Sequence, residues 1–182
     1  MNIKTLMENI YLTFTTDERL LRYLYYVPEN QLDKPQDYRK QNILDMPPNE
    51  KYDIIRNTVY FMDKKFRLDP KKSFSRINFY LGNRSPDRKY SGGAKMLINN
   101  PLVSRQEIII DIYSNMEIHQ TDMRMFSIYE RIVGLLNDKN VGMFTDLKFD
   151  YSLNIPKTPE GFVGLRLIYY ALDSQSAGCE CN

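Results

Sequence analysis

The apolar positions of the chain follow two different rhythms, helical at the start and strand-like from about the middle onward. Ile3, Leu6, Met7, Ile10 and Phe14 recur on one face of a 3.6-residue period, which predicts an opening helix. Thr15 with Glu18 reads as a capping box for a second helix, with Asp17 adding charge to its first turn. That helix is expected to turn Leu20, Leu21, Leu24 and Tyr25 inward and to end at Val27-Pro28. Residues 28–50 then carry Pro28, Pro35, Pro47 and Pro48 among mostly polar positions, so an extended loop or arm is predicted. Such a long loop in a compact domain is usually functional or mobile. Ile54, Ile55 and Val59 restore apolar periodicity over Tyr52 to Phe61, as a short helix running into a strand.

From Ser75 the period becomes two. Ile77, Phe79 and Leu81 alternate with Arg76, Asn78 and Tyr80. Gly82 to Pro101 is predicted to be a loop, broken by Pro86, Gly92-Gly93 and Asn99-Asn100-Pro101. Ile108 to Ile112 is apolar enough for a central strand covered on both faces. A helix over Thr121 to Asn137 is expected to bury Phe126, Tyr129, Val133 and Leu136, with Met125, Ile128, Ile132 and Leu135 widening the stripe. A stripe that broad exceeds one sheet face, so part of it should meet the N-terminal helices or another subunit. Gly134, unfavourable inside a helix, suggests a close helix approach. Leu147, Phe149, Tyr151 and Leu153 alternate with polar residues, and the segment 155–161 reverses the chain. Val163, Leu165, Leu167 and Tyr169 then oppose Gly164, Arg166, Ile168 and Tyr170, completing a hairpin. The expected fold is a single α+β domain over residues 1–173. It has a mainly antiparallel sheet packed by an N-terminal helical segment and one central helix, with a disordered tail over 174–182.

A length of 182 residues suits one core. Fourteen tyrosines and no tryptophan suit either protein-contacting surfaces or the packing of a thin sheet. Net charge is only +2, but its distribution is uneven. Residues 63–95 hold ten Lys or Arg against three Asp, and residues 107–150 hold eight acidic against four basic residues. The two could complement each other between neighbouring copies, or the first could face phosphates; solvated loops with chance bias would read the same. No run of 18 apolar residues is present, so no membrane span is expected. Cys179 and Cys181, close together in the polar tail, are expected to be free thiols in a reducing cytoplasm.

Candidate chemistry is sparse, and neither a cofactor nor a metal is expected. His119 is the single histidine, set in a polar turn before a helix, so a Ser or Cys nucleophile has no evident base. Gly92-Gly93-Ala94-Lys95 lacks the strand and helix of a phosphate cradle. Asp87, Asp146 and Lys148 offer a weak metal-nuclease pattern. Basic residues are the better signal: Lys64, Lys65, Arg67, Lys71 and Lys72, then Arg84, Arg88, Lys89 and Lys95. Arg84, Arg88, Lys89, Lys95, Lys71 and Lys72 are the candidate contacts to a DNA channel or a neighbouring subunit, through sequence-independent phosphate binding. Tyr90 alone makes no stacking platform.

The order of elements resembles a known group. An N-terminal helix precedes a strand ending in Gly-Asn-Arg-Ser-Pro at 82–86, then the apolar strand Glu107 to Tyr113. The helix Ile128 to Leu136 and the strand Gly164 to Tyr169 follow. Over residues 1–25 and 75–172 this resembles the tail-completion (tail terminator) and head–tail joining proteins of long-tailed phages. The resemblance implies an α+β fold assembled into a ring, often a hexamer, at the head–tail junction of the virion, after assembly in the host cytoplasm. It implies neck and tail-tube proteins as partners, passing contact with genomic DNA, and no catalytic residues. The proline-rich segment 28–72 departs from the compact pattern of that group. A monomeric or dimeric nucleic-acid-binding module and the nuclease remain the alternative expectations.

Overall fold

The computed structural model describes residues 3–61, 75–91, 95–137 and 147–174, of which 86–91, 95–103 and 172–174 by backbone alone. Helices α1 (Ile3–Thr15), α2 (Glu18–Tyr25) and α3 (Pro48–Thr58) precede strand β1 (Val59–Phe61). The long strands β2 (Arg76–Ser91) and β3 (Lys95–Asn115) lead to α4 (Met116–Asp122) and α5 (Arg124–Leu136), then β4 (Lys148–Asn154) and β5 (Phe162–Ser174). The sheet runs β1-β2-β3-β5-β4, with β1 parallel to β2 and every other pair antiparallel. The fold is α+β.

Helices cover one face because both rhythms in the sequence converge there. Leu6, Met7, Ile10 and Phe14 from α1 and Leu20, Leu21 and Leu24 from α2 are buried with Ile77, Phe79, Ile108, Ile110, Ile112, Leu165, Leu167 and Tyr169 from the strands. Each such side chain contributes about 1.5–3 kcal/mol on leaving water. Phe79 is the hub at the β1 side: Phe14 meets it edge-on at 5.7 Å, Phe61 lies 5.4 Å away and Tyr11 stacks at 6.4 Å. Tyr129 and Tyr169 flank Phe149 at the other side.

Several expectations need correction. Thr15 does not cap α2; it ends α1, donating its hydroxyl to the Tyr11 carbonyl at 2.9 Å. The cap is Asp17, which accepts from Leu20 N at 2.7 Å and also pairs with Arg131 of α5. Glu18 instead accepts from Arg22 Nε and from the amides of Ile43 and Leu44. Tyr25 is exposed rather than inward. The expected central helix is α5, which starts at Arg124 after the left-handed residue Met123, and a separate short helix, α4, precedes it. Met125, Ile128, Ile132, Leu135 and Leu136 face the core, while Phe126 is exposed. Gly134 is exposed and touches no neighbour, so no helix approaches there. A bulge at Asp150 interrupts the alternation of β4 and leaves Tyr151 and Leu153 exposed.

The proline-rich stretch is held on the body rather than projecting as an arm. Arg22, nearly buried, donates to the carbonyls of Pro35, Asp37 and Lys40, and Tyr26 donates to that of Gln41. A single 3-10 turn at Ile43–Asp45 buries Ile43, and α3 begins at Pro48, where a missing amide costs nothing.

Candidate assembly and nucleic-acid interface

The predicted loop between Gly82 and Pro101 is the principal misreading, because β2 and β3 continue through it. Beyond the body they pair with each other from Asp87–Asn100 to Ser91–Lys95, while the pairing of β5 with β3 is described as far as Val103. Among the described residues the result is a two-stranded ribbon that extends about 15 Å beyond the five-stranded sheet, five residues of β2 at roughly 3.3 Å each. The breakers are tolerated for a physical reason. Pro86 sits beside a register shift, and Pro101 falls in the stretch of β3 that β2 skips between Ser104 and Asn100. Prolines cost a strand least at bulges and edges, where no amide is needed.

The root of the ribbon is fastened. Gly82 opposes Glu107 so closely that a β-carbon there would lie 2.9 Å from Glu107 Cβ and Ile109 Cδ1. Gln106 donates to the Gly82 carbonyl at 3.1 Å, and Asn83 N donates to Glu107 at 3.1 Å, stitching the bulge between Leu81 and Arg84. Arg84 donates to Ser104 Oγ at 3.0 Å. Arg105 lies 3.9 Å over the Tyr170 ring and pairs with Asp150 of β4. Bulges re-aim a strand, and these contacts fix the direction in which the ribbon leaves the body.

Four of the six candidate contacts come together on this ribbon. Arg84 lies at its root, Arg88 and Lys89 oppose Ile98 and Leu97, and Lys95 opposes Ser91 at the far end. Lys71 and Lys72 lie outside the described residues, as do Lys64, Lys65, Arg67, the Gly92-Gly93 tip, Cys179 and Cys181. The nuclease trio does not assemble. Asp87 is a ribbon residue opposite Asn100, not a loop residue. Lys148 opposes Tyr170, which opposes Glu107, seven residues further along β3 than Asn100. That separation is about 20 Å, and Asp146 lies outside the described residues. Among the described residues no three His, Cys, Asp or Glu side chains gather as a metal site would require, and no helix is long and apolar enough to cross a membrane.

Three ionic clusters escaped the sequence. Asp111, nearly buried on β3, receives Arg166 at 2.7 and 2.8 Å and the Tyr80 hydroxyl at 3.1 Å, on the sheet face away from the helices. That carboxylate holds the Arg166 pKa above its ordinary value. Arg124, 1% exposed, donates to the carbonyls of Tyr23 and Tyr26 at 2.6 Å each and pairs with Asp122, tying α5 to the end of α2. Burial pulls its pKa down, and Asp122 opposes that pull. The third is the Arg105–Asp150 pair already described. A charged residue inside an apolar stripe, as Asp111 is, was the available signal. His119 belongs to α4 rather than to a polar turn; its Nδ1 accepts from Met125 N at 3.4 Å. Its ring meets Phe126 at 5.3 Å, and burial lowers its pKa.

An α+β sheet protein with a projecting basic ribbon is the class that this geometry defines. The chain belongs to the YomW family, whose model matches residues 17–171. One relative is the SPbeta prophage-derived uncharacterized protein YomW of Bacillus subtilis strain 168. It is 28% identical over 126 residues, spanning 65% of this chain and 70% of that protein. The relationship ties the chain to phage-derived proteins.

Proposed function

We propose that this protein is a structural component of a phage particle. Its copies close into a ring, on the hexameric pattern, around the DNA channel of the head–tail junction, as a tail terminator or a neck (joining) protein. The observation that carries the proposal is the ribbon. Two strands alone in water are marginal, so a clamped ribbon outside its own sheet gains most when packed beside other ribbons or another protein. Arg84, Arg88, Lys89 and Lys95 along it, against Asp87 alone in 84–95, suit weak contact with passing phosphates. Neck and tail-tube proteins would meet the remaining surface. The basic ribbon equally favours a monomeric or dimeric nucleic-acid-binding module, and solution mass separates these from a ring of three or more copies.

Light scattering on the purified chain is the test. A defined multiple of the 21.6 kDa protomer larger than a dimer supports the ring. A protein that stays a monomer or dimer at high concentration and binds duplex DNA favours the binding module. The triple variant Arg84→Glu, Arg88→Glu, Lys89→Glu should lose salt-dependent DNA retention while remaining folded. Unaltered retention would remove the ribbon from any role at DNA.

A further inference from the structure

The ribbon has two unlike faces, and a cleft at the far end of the body matches one of them. Directly opposed residues of an antiparallel pair share a face, and consecutive residues alternate between faces. Arg88 opposes Ile98 and Tyr90 opposes Met96, so these four positions form one face. Lys89 opposes Leu97 and Ser91 opposes Lys95, and these form the other. The first face is apolar and aromatic around a single arginine. The second carries two lysines and suits phosphates. Two strands without a third are marginal in water, so the apolar face calls for a partner.

A cleft of about 590 Å³ lies between α2 and α3. Tyr25, Tyr26, Met46 and Ile54 give it apolar walls, and Glu50 and Asp53 line it as carboxylates one turn apart on α3. Tyr25 is 40% exposed and meets Tyr26 edge-on at 5.3 Å. Among the described residues no lysine or arginine lines the cleft, and neither carboxylate has an ion-pair partner. The two cations over the Tyr26 ring are already matched, Arg22 by Glu18 and Lys40 by Asp33. The cleft sits at the start of β2. Ser75 N donates to the Leu24 carbonyl at 3.0 Å, and Arg76 donates at 3.2 Å to the carbonyl of Asn57, which lines the cleft. The ribbon ends β2, about 50 Å away for 16 residues at roughly 3.3 Å each. It therefore cannot reach the cleft of its own chain, but a second copy can supply it. Complementary features at opposite ends of one chain make a head-to-tail contact, the kind that closes rings.

We propose that the Arg88–Tyr90–Met96–Ile98 face of one copy's ribbon seats in the α2–α3 cleft of the next, with Arg88 paired to Glu50 and Asp53, while the Lys89–Lys95 face is left to the DNA channel. This rests on the ring reading above. The test uses a ribbon variant, Arg88→Glu, and a cleft variant, Glu50→Lys with Asp53→Lys. Circular dichroism and thermal unfolding check that each stays folded, and the ribbon variant alters nothing in the folded body. Native mass spectrometry should find the wild type as a ring and each variant as a single protomer. All three substitutions in one chain restore opposite charges across the contact and should restore the ring. Tyr90→Ala should raise the concentration needed for assembly about thirtyfold, as loss of a contact hot spot does. Lys89→Ser with Lys95→Ser, on the other face, should leave the ring intact and weaken DNA retention. Rings that persist in either folded variant, or a triple variant that stays single, would refute the contact and leave the ring reading standing. Loss of the ring in the Lys89 and Lys95 variant would refute the division of faces. A wild-type protein that never assembles beyond a dimer would refute both the contact and the ring.

Discussion

Strands β2 and β3 serve two purposes along their length. Toward their body ends, Ile77, Phe79, Ile108, Ile110 and Ile112 are fully buried beneath helices. Toward Ser91 and Lys95 the same strands leave the sheet, pair only with each other among the described residues, and carry basic positions. The body half has everything folding needs. Two strands paired only with each other are marginal in water, so the ribbon half is expected to add little to a lone molecule's stability.

The contrast can be broken most sharply at Phe79. Phe79→Ala should cost about 3–5 kcal/mol in urea unfolding, because Phe14, Tyr11 and Phe61 all lose their common partner. Lys89→Ala, on the ribbon, should stay within about 0.5 kcal/mol of the wild type. Equal losses at the two sites would show that the ribbon is part of the folding core. Next comes Arg124→Met, expected to cost about 3 kcal/mol by leaving two helix-end carbonyls and Asp122 without their donor.

A smaller effect, of opposite sign, is expected at Tyr169. Its hydroxyl is buried with no hydrogen-bond partner among the described residues, and burial raises its pKa. Tyr169→Phe should therefore leave stability unchanged or raise it by up to about 1 kcal/mol; a clear loss would reveal a partner for that oxygen. The smallest effect is at His119. Its pKa is lowered in the folded protein from 6.5, mainly by burial, with Asp122 opposing. The contribution of the neutral ring is complete above 6.5 and is lost as pH falls through the folded value. The stability of the wild type relative to His119→Gln should accordingly decline on acidification below neutrality, and a flat difference would place the ring in full solvent.

What the sequence showed and what it hid follow a physical line. Alternation at Ile77–Leu81 and Val163–Tyr169 and the helical spacing from Ile3 to Phe14 were legible, because burial on one face imposes a period. The ribbon was not, since Pro86 and Pro101 sit at register shifts where the usual penalty is absent. The break at Met123 carried neither glycine nor proline to announce it. Glu18 looked like half of a local capping box, yet its carboxylate serves amides 25 and 26 residues away. Arg84, Arg88, Lys89 and Lys95, expected on a loop, lie on paired strands.

Electron micrographs of the purified chain, averaged into classes, test most directly whether this protein works by assembling with itself. Closed rings with the ribbons gathered around a central opening are predicted. Isolated protomers in every class, with or without added DNA, would contradict it.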